Sequence, residues 1–207
     1  MPTASLSDLT GSWEIDYKHT EDPQAKLQYL YEVAQSQIEQ DRMQTDMGRD
    51  VAPALTALQG IRGIIKLSTL ASDELTHSTV LTISQTDGVI TIKRSNDYSL
   101  TCDFLAPVNE LKIGQESCGL DKDGRLVFET LLPEGLTIIN RFSLSGDDKS
   151  DDDKRLQVSM MLFSNKFPQP FILNRVYMLF PPGEGMYKCE FTLEKKKSCW
   201  LGQDGSK

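Results

Sequence analysis

Between about residue 76 and residue 193 the apolar residues tend to recur at every second position, and turn signals rich in Gly, Asp or Asn interrupt them roughly every ten residues. A two-residue period puts successive side chains on opposite faces of an extended chain, so this stretch constrains the fold more than any other part of the sequence. It predicts strands over roughly 78–85, 88–94, 98–105, 110–117, 124–132, 135–144, 154–163, 170–180 and 186–193. Thr86-Asp87-Gly88 and Asp121-Lys122-Asp123-Gly124 supply hairpin turns. Upstream, GSWEIDY (Gly11 to Tyr17) carries Trp13, Ile15 and Tyr17 on one side of a further short strand. About ten strongly twisted antiparallel strands curl closed or split into a sandwich. The expected fold is mainly β: an antiparallel up-and-down β-barrel with a two-helix insertion between the first and second strands.

The insertion is read from a change of period. In EDPQAKLQYLYEVAQSQIEQDRMQTDMG, Asp22 stands as N-cap, Pro23 at the first helical position and Gly48 as the stop. Leu27, Leu30, Tyr31, Ala34 and Ile38 recur at helical spacing. A second helix follows from about Val51 to Leu67, opened by Asp50 and striped by Leu55, Leu58, Ile61 and Ile65, with Gly60 and Gly63 weakening its interior. The helical insert therefore covers about 22–67, and a tail of about 194–207 follows the last strand. Leu27, Leu30, Tyr31 and Ile38 are expected to line a cavity mouth from this lid, with plain packing onto the sheet as the alternative.

A chain of 207 residues suffices for one domain, 1–207, whose core needs no disulfide staples. Thirty Asp and Glu against twenty-two Lys and Arg leave a formal charge of −8, which repels phosphate backbones and anionic lipid surfaces. Nucleic acid is not an expected partner. The longest apolar stretch is about ten residues, roughly half a membrane-spanning helix, so no stable membrane insertion is expected. MPTASLSDLTGSW has neither the basic region nor the apolar core of a secretory signal. A cytoplasmic location is favoured on that ground, with periplasmic or secreted after processing as the alternative.

Cys102, Cys118, Cys189 and Cys199, with only His19 and His77 beside them, fit no zinc template. Buried free thiols are expected; a Cys189 to Cys199 bridge is the alternative in an oxidising compartment. DKDG at 121–124 has the composition of a turn and lacks the acidic spacing of a calcium loop. The acidic run GDDKSDDDK, 146–154, reads as a solvated loop between two strands. No GxSxG, HExxH or phosphate-cradling glycine loop occurs, so the reading leans away from an enzyme and names no catalytic residue, metal or cofactor.

One strand breaks the pattern. FILNRVYMLF, 171–180, sets Arg175 and Tyr177 on the face of Phe171, Leu173 and Leu179, while Ile172, Val176, Met178 and Phe180 take the other. In GLTIINRFSLS, Arg141 shares a face with Thr137, Ile139 and Ser143. A guanidinium among apolar neighbours needs an anion, because it cannot shed its proton and an unpaired buried charge costs several kcal/mol. The partner is an internal carboxylate, or solvent reached by snorkelling, or a ligand carboxylate held by Arg141 and Arg175 with the Tyr177 hydroxyl as a further donor. Phe171 and Leu173 would then line the cavity.

DGRLVFETLLPEGLTIINRFSLSGDDK, RLQVSMML and NRVYMLF resemble, in order and spacing, the closing half of fatty-acid-binding proteins. GSWEIDY is similar to the G-x-W strand that those proteins share with lipocalins, and the same segments resemble bacterial lipocalin-like proteins of unknown role. The resemblance, to the calycin group of β-barrels, covers residues 11–17 and about 76–180. It implies a ligand carboxylate held inside the barrel at the positions of Arg141, Arg175 and Tyr177. The long helical insert, the acidic loop and the tail depart from that family. The expected function is non-enzymatic binding or transport of a small hydrophobic ligand with an anionic head, fatty-acid-like. The alternatives are an interaction module on a barrel filled by its own side chains and, third, a small-molecule enzyme on the same scaffold.

Overall fold

The computed structural model describes residues 8–46, 52–77, 79–94, 99–145, 154–165, 167–180, 187–191 and 197–201. Strand β1 (Gly11–Ile15) leads into helices α1 (Pro23–Asp46) and α2 (Ala52–His77). The strands β2 (Val80–Thr86), β3 (Val89–Arg94), β4 (Ser99–Asp103), β5 (Val108–Leu111), β6 (Gly114–Leu120) and β7 (Leu126–Leu132) follow. A single helical turn (Pro133–Gly135) precedes β8 (Leu136–Ser145), β9 (Arg155–Ser164) and β10 (Phe167–Phe180), and β11 (Tyr187–Phe191) and β12 (Lys197–Leu201) complete the order.

Ten strands form one antiparallel, strongly curled half-barrel in the order β4-β3-β2-β1-β10-β9-β8-β7-β6-β5, with the helices between β1 and β2 in the chain. Burial alternates along the strands as the two-residue period requires: Ile90 and Ile92, Leu126 and Phe128, and Leu156, Val158, Met160 and Leu162 all turn to the concave side. The last predicted strand, 186–193, corresponds to β11, which pairs with β12 in a separate two-stranded sheet. The main sheet reaches ten strands because β5 joins it, and part of the expected tail is strand β12.

The sheet's two edges meet through the chain and through sulfur. Only Phe104 to Pro107 separate β4, at one edge, from β5, at the other. Such a connector spans at most roughly 18 Å, so the sheet must curl back on itself. Cys102 on β4 and Cys118 on β6 form a disulfide, with Cα atoms 5.6 Å apart, and the Cys118 amide donates to the Pro107 carbonyl at 2.8 Å. This overturns the expectation of free thiols at 102 and 118. Sequence spacing conceals the pair because the ring of strands brings together residues that the hydrogen-bonded ladder puts eight strands apart. The register sets Cys189 opposite Cys199; their side chains lie outside the described residues.

Helix α1 begins where the sequence reading puts it. Asp22 accepts the Gln24 amide at 2.9 Å, a capping bond that satisfies one of the orphan donors of the first turn. Helix α2 runs ten residues beyond Leu67, to His77. Its buried stripe passes from Ile61 and Ile64 to Ser68 and Ser72, so polarity on the buried side hides the continuation from a hydrophobic-period reading. Gly63 lets α2 approach the sheet: a Cβ there would lie 3.4 Å from both methyls of Leu136.

Two apolar clusters fill the concave side. One, built on Trp13, Ile83, Ile92, Phe128, Phe142, Leu156 and Tyr177, occupies the barrel proper. The other packs Leu30, Ala34, Ile61 and Ile64 of the helices against Met160, Leu162, Phe171 and Leu173. Trp13 plugs the first cluster and donates its indole N–H to the Leu9 carbonyl at 3.0 Å. Gly11 of the same G-x-W run leaves room for Leu179, whose methyl would stand 2.7 Å from an added Cβ.

Candidate functional site

Strand register decides which arginine faces the interior. Across β8, β9 and β10 the concave rows are Ile138-Leu162-Phe171, Asn140-Met160-Leu173, Phe142-Val158-Arg175 and Leu144-Leu156-Tyr177. Arg175 is only 4% exposed and Tyr177 1%, so this cation and this phenol both belong to the inner wall. The Arg175 guanidinium reaches the Tyr177 hydroxyl. Burial pushes that hydroxyl above its ordinary pKa, against the pull of the Arg175 and Arg94 guanidinium groups.

These residues fall at a boundary. On β8 the inner side chains pass from Ile138, under the helices, through Asn140 to Phe142 in the barrel cluster; on β10 they pass from Leu173 through Arg175 to Tyr177. Helix α2 adds Ser68 and Ser72, both buried, beyond its apolar residues Ile61 and Ile64. On the sheet, Asn140 and Arg175 therefore form a polar layer where the two apolar clusters adjoin. The Asn140 side-chain oxygen there, and the Ser68 hydroxyl on α2, are buried with no hydrogen-bond partner among the described residues. Buried polar groups are normally satisfied, so an unmet Asn140 oxygen one row from a buried guanidinium marks a place suited to a polar guest or to water.

Arg141 does not join this layer. It alternates with the inward Asn140 and Phe142, and it pairs in register with Val127 and Ser159 on the convex side. By this register Arg141 stands on the outer face and Arg175 on the inner, so the two do not share the inner wall, although both border one depression of about 390 Å³. The sequence carries a signal for this, since Leu136, Ile138, Phe142 and Leu144 make the face opposite Arg141 the more apolar one.

The lid residues divide similarly. Leu30 is buried and Leu27 partly so, both against β9 and β10, whereas Tyr31 and Ile38 are 43% and 39% exposed. The helical stripe that meets the sheet includes Leu27, Leu30, Val33 and Ala34, and Tyr31 and Ile38 stand outside it. Phe171 and Leu173 lie on the inner wall in close contact with the helices. The apolar side chains of the barrel cluster are each exposed by 3% or less, so the described inner face is packed. Depressions of about 350, 390 and 250 Å³ that bring in Arg125 or Arg141 open around the outer surface of β6 to β10 and the β6–β7 turn, with the inner residues Leu9, Phe142 and Leu144 bordering the first and Val158 and Arg175 the second.

Two carboxyl groups are also notable. Glu116 shares the inner row of Thr130 and Ile138; burial raises its pKa, and the Thr130 hydroxyl, donating at 3.4 Å, opposes that rise. Asp16 accepts from His19 Nδ1 at 2.7 Å, which with the Lys18 amide holds its carboxyl below the ordinary range against its burial. Among the described residues no three His, Cys, Asp or Glu side chains gather closely enough to hold a metal ion. DKDG is a turn: Asp121 accepts the amides of Asp123 and Arg125 at 2.9 and 3.0 Å, and Gly124 takes φ +76°. Residues 146–153 of the acidic run lie outside the described residues. No helix among the described residues is long and apolar enough to cross a membrane.

No protein-family model matches the chain, no curated protein matches its sequence, and no solved structure matches it.

Proposed function

We propose that the chain is a non-enzymatic binding or transport protein for a small hydrophobic ligand with an anionic, fatty-acid-like head group. The head would be taken by Arg175 and Tyr177, with Asn140 and Ser68 as further polar contacts and the tail between the helices and the sheet. The observation that carries this reading is a buried guanidinium and an unsatisfied Asn140 oxygen on the sheet where two apolar clusters adjoin. Each methylene moved out of water contributes about 0.8 kcal/mol, so the tail would supply affinity and the arginine selection. Because the inner face is packed, entry requires the α1–α2 pair to lift from Phe171 and Leu173. The Cys102–Cys118 bond supports the periplasmic or secreted alternative, since cytosolic thiols are kept reduced.

The packed barrel cluster favours a second reading, an interaction module whose surface rather than its interior binds. The two separate by solvent extraction of the purified protein with mass spectrometry, combined with titration by a fluorescent long-chain fatty acid. A bound amphipathic acid, or saturable uptake that Arg175→Met weakens roughly tenfold or more, is the expected result. An empty protein that ignores the probe favours the module. Unfolding of Arg175→Met without any ligand effect would instead identify an internal partner for the cation.

A further inference from the structure

We infer that Arg141 is the centre of a separate oxyanion site on the outer face, independent of the buried layer. The depressions of about 390 and 250 Å³ meet at this residue, one over β8 to β10 and the other over β6 to β8. Arg141 is partly buried yet has no hydrogen-bond or ion-pair partner among the described residues. Its neighbours on the same surface are committed: Arg125 to Asp121 and Asp123, and Arg155 to Asp16. A guanidinium held in a recess and left with its fork of donors open is suited to a planar or tetrahedral oxyanion.

The recess exists because its walls are small. Ser159 lies directly beside Arg141 in register and Ser143 follows it on β8. Gly119 adds no side chain, and a Cβ there would meet nothing within 4 Å. Glu129 lines the smaller depression and repels an anion from that side, which leaves the larger one as the binding volume. There Ser143, Ser159 and Gln157 offer donors or acceptors beside the cation. A volume of about 390 Å³ exceeds what a bare ion needs and falls in the range of small-molecule sites. The ligand class is therefore a small polar molecule bearing a carboxylate or a phosphate, with hydroxyl groups for the serines and Gln157.

Isothermal titration at low ionic strength with inorganic phosphate and, separately, with citrate tests the site and distinguishes the two anion types. Saturable binding of at least one probe is expected, weakened roughly tenfold or more in Arg141→Gln. Ser159→Asp, which sets an internal carboxylate beside Arg141, should abolish it while keeping the fold, as monitored by circular dichroism. Tyr177→Phe, at the buried head-group position and outside both depressions, should leave it unchanged, so failure here and failure of the buried site are read separately. Absence of saturable binding by both probes, or equal binding by Arg141→Gln and the unmodified chain, overturns the assignment.

Discussion

Arg175 and Arg141 carry the same charge on strands two apart, and the pleat alone separates their fates. Arg175 projects into a wall that excludes water, where the Tyr177 hydroxyl is one of the groups that meet it; Arg141 projects outward, where solvent or a solute can answer it. Glu116 shows the same logic for an acid. Burial raises its folded-state pKa, so its neutral form is favoured in the folded chain. Such a group contributes most below its unfolded pKa and loses that contribution as pH rises through the folded value. Glu116→Gln, which stays neutral, should therefore gain stability relative to the unmodified chain as pH is raised from 4 to 7. Urea midpoints measured at both ends of that window check it, and a constant difference would contradict it.

At the scale of elements, local chemistry was readable wherever a single residue type explains a turn or an end. Asp22 and Pro23 start α1 because one satisfies an orphan amide and the other needs none. The β5–β6 hairpin closes at Gly114, with φ +104°, and a Cβ there would stand 2.1 Å from the Leu131 carbonyl oxygen. Gly114→Ala should cost at least about 1 kcal/mol, because the left-handed backbone and the contact with a neighbouring strand both oppose a side chain. Chemical denaturation checks the size of the loss, and a neutral substitution would mean that the turn relaxes. The tail of α2 was not legible, because Ser68 and Ser72 break an apolar stripe on a side that is nevertheless buried. The short β5, exposed throughout, carries no alternation to find and is defined only by its pairing with β6.

For the whole molecule, the disulfide determines how the curled sheet closes. No hydrogen-bonded ladder joins β4 to β5 or β6, so Cys102–Cys118 and the short connector hold the seam. A loop of this length, with the cysteines 16 positions apart, stabilises by about 3 kcal/mol in the chain-entropy account. Reduction, or Cys102→Ser with Cys118→Ser, should remove about that much. It should also speed amide exchange in β4, β5 and β6 while leaving β8 to β10 protected, as hydrogen-exchange mass spectrometry reads directly. Uniform deprotection across all ten strands would show that the bond supports global stability and not the seam.

Periodicity in the sequence determined the ten-strand antiparallel character, the placement of two helices after the first strand, and the presence of cations within apolar strands, because alternation and capping are local properties. Only the tertiary structure decided which face of β10 is inner, which cysteines meet, and that β5 rather than the late strand completes the sheet. Those outcomes depend on register and on the direction in which the sheet curls, and both are set by the sum of long-range contacts that no short window of residues contains.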